Sequence, residues 1–101
     1  MSSVTAPEHL LKQPTERRRM TFDLSALLDG TTISGTPTIT STTLGGEASD
    51  LVINTISVDG DNVVFFAESG THAVRYRLEV TVNTYDDQRL VGDGILRVTD
   101  I

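Results

Sequence analysis

The sequence predicts an all-β protein: a single immunoglobulin-like antiparallel β-sandwich over residues 17–101, preceded by a flexible N-terminal arm over residues 1–16. Three observations lead there. Apolar and polar residues alternate with a period of two through several short segments, the mark of half-buried strands. Gly, Asp, Asn and Ser clusters break these segments at spacings of 8–14 residues, giving six or seven strands. Thr, Val and Ile are abundant, and branching at Cβ suits a pleated surface better than a helix. A small barrel is the rival closure of the same strands. The Cys–Trp–Cys pattern of antibody domains is absent, so the connectivity stays open.

In the arm, Pro7 and Pro14 punctuate a Ser/Thr-bearing stretch. Thr5 and Glu8 have capping-box spacing, but a helix there must stop before Pro14 and is too short to persist alone in water. The arm is therefore expected to be extended or loosely helical and to order on a partner. From Arg18 the period becomes two: Met20, Phe22 and Leu24 share a face with Arg18, while Arg19, Thr21 and Asp23 take the other. Asp29-Gly30 ends this strand with a turn. Thr31–Thr43 reads as a strand containing Pro37, which lacks a ladder donor and so belongs on an edge or at a break. Leu51–Val58 and Val63–Glu68 follow, joined by Asp59-Gly60-Asp61-Asn62, and the second is apolar enough to be deeply buried. Ala73–Thr84 and Arg89–Thr99 alternate most regularly and form a long hairpin around Tyr85–Gln88. Gly92 and Gly94 lie on its inner face, leaving room for a bulky neighbour or marking a bulge.

The chain has 101 residues, one domain's worth, with no Cys, no Trp and 38% hydrophobic residues. The core must be aliphatic, helped by Phe22, Phe65, Phe66, Tyr76 and Tyr85. Without Cys there is no disulfide and no thiolate chemistry. No apolar run reaches signal or membrane-spanning length, so neither export nor membrane contact is expected. Net charge is −6, divided as +2 over residues 1–19 (four basic, two acidic) and −8 over the remainder (four basic, twelve acidic). An acidic body repels a phosphate backbone. Arg17, Arg18 and Arg19 have one nearby aromatic, Phe22, and are flanked by Glu16 and Asp23. A solvated strand entrance or a dock for an acidic partner fits them better than a nucleic-acid patch.

Catalytic chemistry finds no foothold. His9 and His72 are too few for a zinc site. No Gly-x-Ser-x-Gly elbow and no phosphate-binding Gly-x4-Gly-Lys loop is present. Asp59-Gly60-Asp61-Asn62 lacks the later ligands of a calcium loop and is better read as a hairpin turn. Asp86 and Asp87 sit at a hairpin tip, whereas glycosidase carboxylates flank a cleft. No enzyme activity, cofactor or metal is expected.

From Lys12 onward the order of motifs resembles the phage fiber–tail adaptor family, small immunoglobulin-like virion proteins of tailed phages. Lys12 and Pro14 stand as its Lys-x-Pro element; Phe22-Asp23 and Ser25 match its first strand, with Leu24 where Trp is common. Asp29-Gly30 and the Thr-Thr-Ile that follows fit its next turn. Tyr76–Thr84, the polar turn Asp86–Arg89 and Gly94–Val98 resemble its closing hairpin. The resemblance implies a non-enzymatic structural protein, placed in a ring of copies on a tail or neck and joined to fibers or another tail component. It implies assembly in the host cytoplasm and contact with other phage structural proteins, not with nucleic acid or membrane. Leu10, Leu11, Arg17, Arg19, Tyr85, Asp86 and Asp87 are the expected partner-binding residues. A capsid decoration module and a carbohydrate-binding domain are the alternatives, the latter with only Tyr85 as an aromatic platform.

Overall fold

The computed structural model describes residues 10–99, with side chains from Lys12. It is an all-β structure of two facing sheets. In chain order the elements are β1 (Leu10–Lys12), β2 (Arg18–Asp23), α1 (Ser25–Leu28), β3 (Ile33–Thr43), β4 (Leu51–Asp59), β5 (Asn62–Ser69), β6 (Arg75–Thr84) and β7 (Arg89–Val98). One sheet has the order β1-β7-β6-β3 and the other β2-β5-β4. Neighbours pair antiparallel, except that β1 runs parallel to β7 with Leu10 opposite Leu96.

Alternation decides which side chains meet between the sheets. Tyr76, Leu78, Val80, Val82, Leu96 and Val98 enter from the larger sheet; Met20, Phe22, Leu51, Val63, Phe65 and Ala67 enter from the smaller. Phe22 and Phe65 stack with ring centroids 5.4 Å apart. Leu24 and Leu28 close one end of this core. The unbroken apolar run in β5 has a simple cause. Its inward residues Val63, Phe65 and Ala67 are buried in the core, and its outward Phe66 is roofed by the Arg17 guanidinium, 4.0 Å from the ring centroid.

Pro37 falls where the expected break does. β3 is the edge strand of its sheet, and its pairing with β6 lapses between Ser34 and Thr38. The pairing of β6 with β7 runs without a shift from Arg75–Arg97 to Asn83–Arg89, so Gly92 and Gly94 do not mark a bulge. Gly60 has φ 62° at the first central position of the two-residue β4–β5 turn, a conformation that type II′ geometry requires and glycine accepts.

Two local structures depart from the sequence reading. The Ser25–Leu28 stretch is a single helical turn rather than part of a strand end. Asp23 accepts a bond from the Ser25 amide, and this local competitor to the ladder turns the chain. In the segment read as an arm, Leu10–Lys12 is a strand of the larger sheet. Three residues without alternation carry no strand signal; pairing with β7 creates the strand. Residues 1–9, the bulk of the expected arm, lie outside the described residues.

Candidate docking surfaces

The seven expected contact residues fall into two groups. Strand directions place the α1 region, the β4–β5 turn and the β6–β7 turn at one end of the sandwich, and the β1–β2, β3–β4 and β5–β6 connections at the other. Tyr85, Asp86 and Asp87 belong to the first end. Arg17 and Arg19 belong to the second, along with the backbone of Leu10 and Leu11. The molecule is 41 Å in its longest extent, so the groups form separate surfaces.

Arg17 is held from several sides. Its Nε donates to Glu68 Oε2 at 3.2 Å, and its Nη2 donates to Thr55 Oγ1 at 3.2 Å and Asn54 Oδ1 at 3.5 Å. Thr55 lies in a bulge of β4, where pairing shifts between Asn54 and Ser57, and takes φ 54°. A β-branched residue rarely adopts that conformation. The bulge places its hydroxyl within reach of Arg17. Asn54 and then the Arg17 bond hold the Glu68 carboxyl below its usual range. Arg19, on the same outward face, is exposed. Arg18 has the parity of the core residues, but lies at the strand's open start, where it is exposed 3.7 Å from Glu16.

The tip between β6 and β7 is built around Asp86. Its carboxylate accepts bonds from the hydroxyls of Thr84 and Thr31 and from Gln88 Nε2, which lower its pKa in that order. These bonds tie the tip to the α1–β3 loop and bound an open groove of about 550 Å3 that includes Leu27, Gly30 and Gln88. Asp86 thus serves the turn itself. Asp87 takes φ 69°, the left-handed residue that ends a three-residue hairpin loop. Tyr85 is 76% exposed and is the aromatic that this tip offers outward.

Lys12 and the Asp50–Thr71–Tyr76 group escaped the sequence reading of sites. Lys12 is 1% exposed, and its Nζ donates to the carbonyls of Gln13 at 2.6 Å and Pro14 at 3.2 Å. Burial lowers its pKa, while the charges of Glu16 and Glu68 oppose that shift. The Lys-x-Pro element therefore forms the β1–β2 corner: the ammonium satisfies the carbonyls of the turn it starts. At the same end, fully buried Tyr76 donates its hydroxyl to Asp50 Oδ1 and accepts the Thr71 amide at 2.8 Å. Thr71 Oγ1 donates to Asp50 Oδ2 at 2.7 Å. The signal was present as a polar handle on an inward-facing residue just after a turn, but alternation classes Tyr76 simply as apolar.

The model of the podophage GP4 fiber-tail adaptor protein gp77 family matches residues 12–97. The chain belongs to this family. The fiber-tail adaptor match begins at the buried Lys12 and ends one residue short of the last strand position, so it spans both sheets and includes Arg17, Arg19 and the Tyr85–Asp87 tip, while Leu10 and Leu11 precede it. Membership of the adaptor family indicates a structural role and a virion component. No curated protein and no solved structure matches the chain.

Proposed function

We propose that this protein joins a phage tail or neck ring to fibers or to another tail component, through an immunoglobulin-like sandwich that has no catalytic role. The family match over residues 12–97 carries the reading. The strand order supports the fold assignment. With β2 to β7 taken as strands B to G, the smaller sheet has the order B-E-D and the larger C-F-G, with β1 added beside G. Tyr76 supports it too, because a tyrosine near the start of strand F that bonds back to the E–F connection is a recurrent corner of that fold.

An adaptor needs two separate docking surfaces. Arg17 and Arg19 with the Leu10-Leu11 segment supply one, and the Tyr85–Asp87 tip supplies the other. The N-terminal arm, expected over residues 1–16, adds to the first surface by contact with a neighbouring subunit. Several copies in a ring multiply weak contacts. Neither nucleic acid nor membrane takes part.

Deleting the gene product from phage particles tests the role. Particles are expected to retain head and tail but lose their fibers or another tail component in electron micrographs. Full retention of both would refute it. Exchanging Arg17 and Arg19 for Glu is expected to lower incorporation into particles, while Tyr85→Ala lowers retention of the component beyond. A protein found instead on the capsid lattice would point to a decoration module.

A further inference from the structure

The outer face of the larger sheet holds a pair of charges that the described residues leave unbalanced. Arg75 on β6 and Arg97 on β7 are directly opposite and both exposed. The Val98 amide donates to the Val74 carbonyl, which makes the even-numbered rows of this hairpin the hydrogen-bonded ones. Arg75 and Arg97 therefore share a non-hydrogen-bonded row, where opposing side chains lie closest. Like charges in that position destabilise a sheet. Arg77 is relieved by Asp93 at 3.1 Å, but no carboxylate among the described residues pairs with Arg75 or Arg97.

The far end of the same hairpin has the opposite character. It gathers Asp23, Asp29, Asp59, Asp61, Asp86 and Asp87, with Arg89 as the nearby base. Asp23 and Asp86 are engaged within the chain. Asp87 is exposed beside Tyr85, so the β6–β7 tip presents a carboxylate and an aromatic ring together. These two groups are what guanidinium pairs bind, by charge-assisted hydrogen bonds and by stacking. Within one chain they cannot meet. From Arg75 to Asn83 β6 runs eight residues, about 26 Å at strand rise, beyond the ~8–10 Å over which charge acts in physiological salt.

We infer that the Arg75–Arg97 pair is the docking site for the β6–β7 tip of a second copy of this chain, with Asp87 between the guanidinium groups and Tyr85 against them. The contact is head to tail. It closes into a ring where the rotation between copies allows, and otherwise propagates. It rests on reading the tip as a docking element and names its occupant as a neighbouring copy, so that the component beyond is held by the assembled copies and not by the tip directly. It does not rest on where in the virion the protein sits. The net charge of −6 opposes association at long range, so the contact is weak in free solution and gains from multiplicity.

Sedimentation of the purified full chain over a concentration series tests this. Reversible association is expected at low salt, weakened about tenfold or more at 0.5 M salt. Arg75→Glu with Arg97→Glu, and Tyr85→Ala with Asp87→Arg, should each abolish it. A chain that combines Arg75→Glu, Arg97→Glu and Asp87→Arg should associate again. Arg97→Gln separates docking from folding: it should weaken association while leaving the melting temperature equal or higher, since it removes a repulsion. A monomer at every concentration and salt would overturn the proposal. So would association indifferent to the arginines, or association that needs the arginines but not Tyr85 or Asp87. Fiber loss from particles lacking the protein, together with a strictly monomeric purified chain, would leave the adaptor role standing and remove this contact alone.

Discussion

Tyr76 shows how much one polar atom in a core decides. Its hydroxyl bridges the Asp50 carboxylate and the Thr71 amide, fastening the β3–β4 and β5–β6 connections to the start of β6. Tyr76→Phe keeps the ring but leaves the Thr71 amide unpaired, and should cost about 1–3 kcal/mol in urea unfolding. The loss should depend on pH. The Tyr76 and Thr71 hydroxyls hold the folded Asp50 pKa below its ordinary value of 3.8, so their contribution is complete above that value and fades as pH falls through the depressed one. Burial and then Asp50 raise the Tyr76 pKa above 10.0, so the phenol's contribution is complete below that and fades as pH rises through the raised value. The difference between wild type and variant should therefore be widest between about pH 4 and 10. An equal difference at pH 2.5 and 7 would show that the bridge is not the cause. Only the local part of this network was legible: alternation gave Tyr76 its face just after a turn, but Asp50, 26 residues away in the chain, joins it only once the strands are in place.

At the scale of elements, the strands were legible wherever their alternation was long. β6 and β7 stand where the pattern put them, and β3 is an edge that lapses at Pro37, because a missing donor is a property of the residue itself. The short elements were not legible. β1 has three residues and α1 four, too few for a period to show, so pairing and a local side-chain bond decide them. Gly70 illustrates an element boundary under tertiary control. It has φ 97°, and a Cβ there would lie 2.8 Å from Val98 Cγ2 and 3.2 Å from Leu51 Cδ1. The β5–β6 turn thus packs against both sheets. Gly70→Ala adds backbone strain to overpacking and should cost about 2–3 kcal/mol, read as a lowered urea midpoint at unchanged slope. A neutral substitution would mean that the turn is not held in this conformation.

At the scale of the molecule, the packing of β1 on β7 makes the start of the described chain part of the larger sheet. Removing residues 1–12 rather than 1–9 takes away β1 and the buried Lys12. The longer deletion should be less stable than the shorter by about 2–3 kcal/mol, a difference of roughly 10–20 °C in melting temperature for a domain of this size. Equal melting temperatures would make β1 an appendage rather than a strand of the fold. The two proposed docking surfaces separate on the same physical grounds. Lys12–Arg19 and the Tyr85–Asp87 tip sit at opposite ends because β6 and β7 run the length of the sandwich between them. Charge and exposure made Asp86 an expected contact residue; they did not show the three hydrogen bonds from Thr31, Thr84 and Gln88 by which it also closes the turn, because Thr31 is distant in the chain.

By itself the sequence determined an all-β chain, its long strands, their inward faces, the turn positions and the motif order that carries the family. All of these are local: a period of two, a missing amide hydrogen, a glycine that tolerates positive φ. Only the tertiary structure decided that Leu10–Lys12 is a strand, that Lys12 is buried under its own turn, that Arg17 is pinned by Glu68 and a bulge, and that Arg75 faces Arg97. Those depend on which strands lie side by side, and register between distant segments is set by the packing of the whole core, which no single segment encodes.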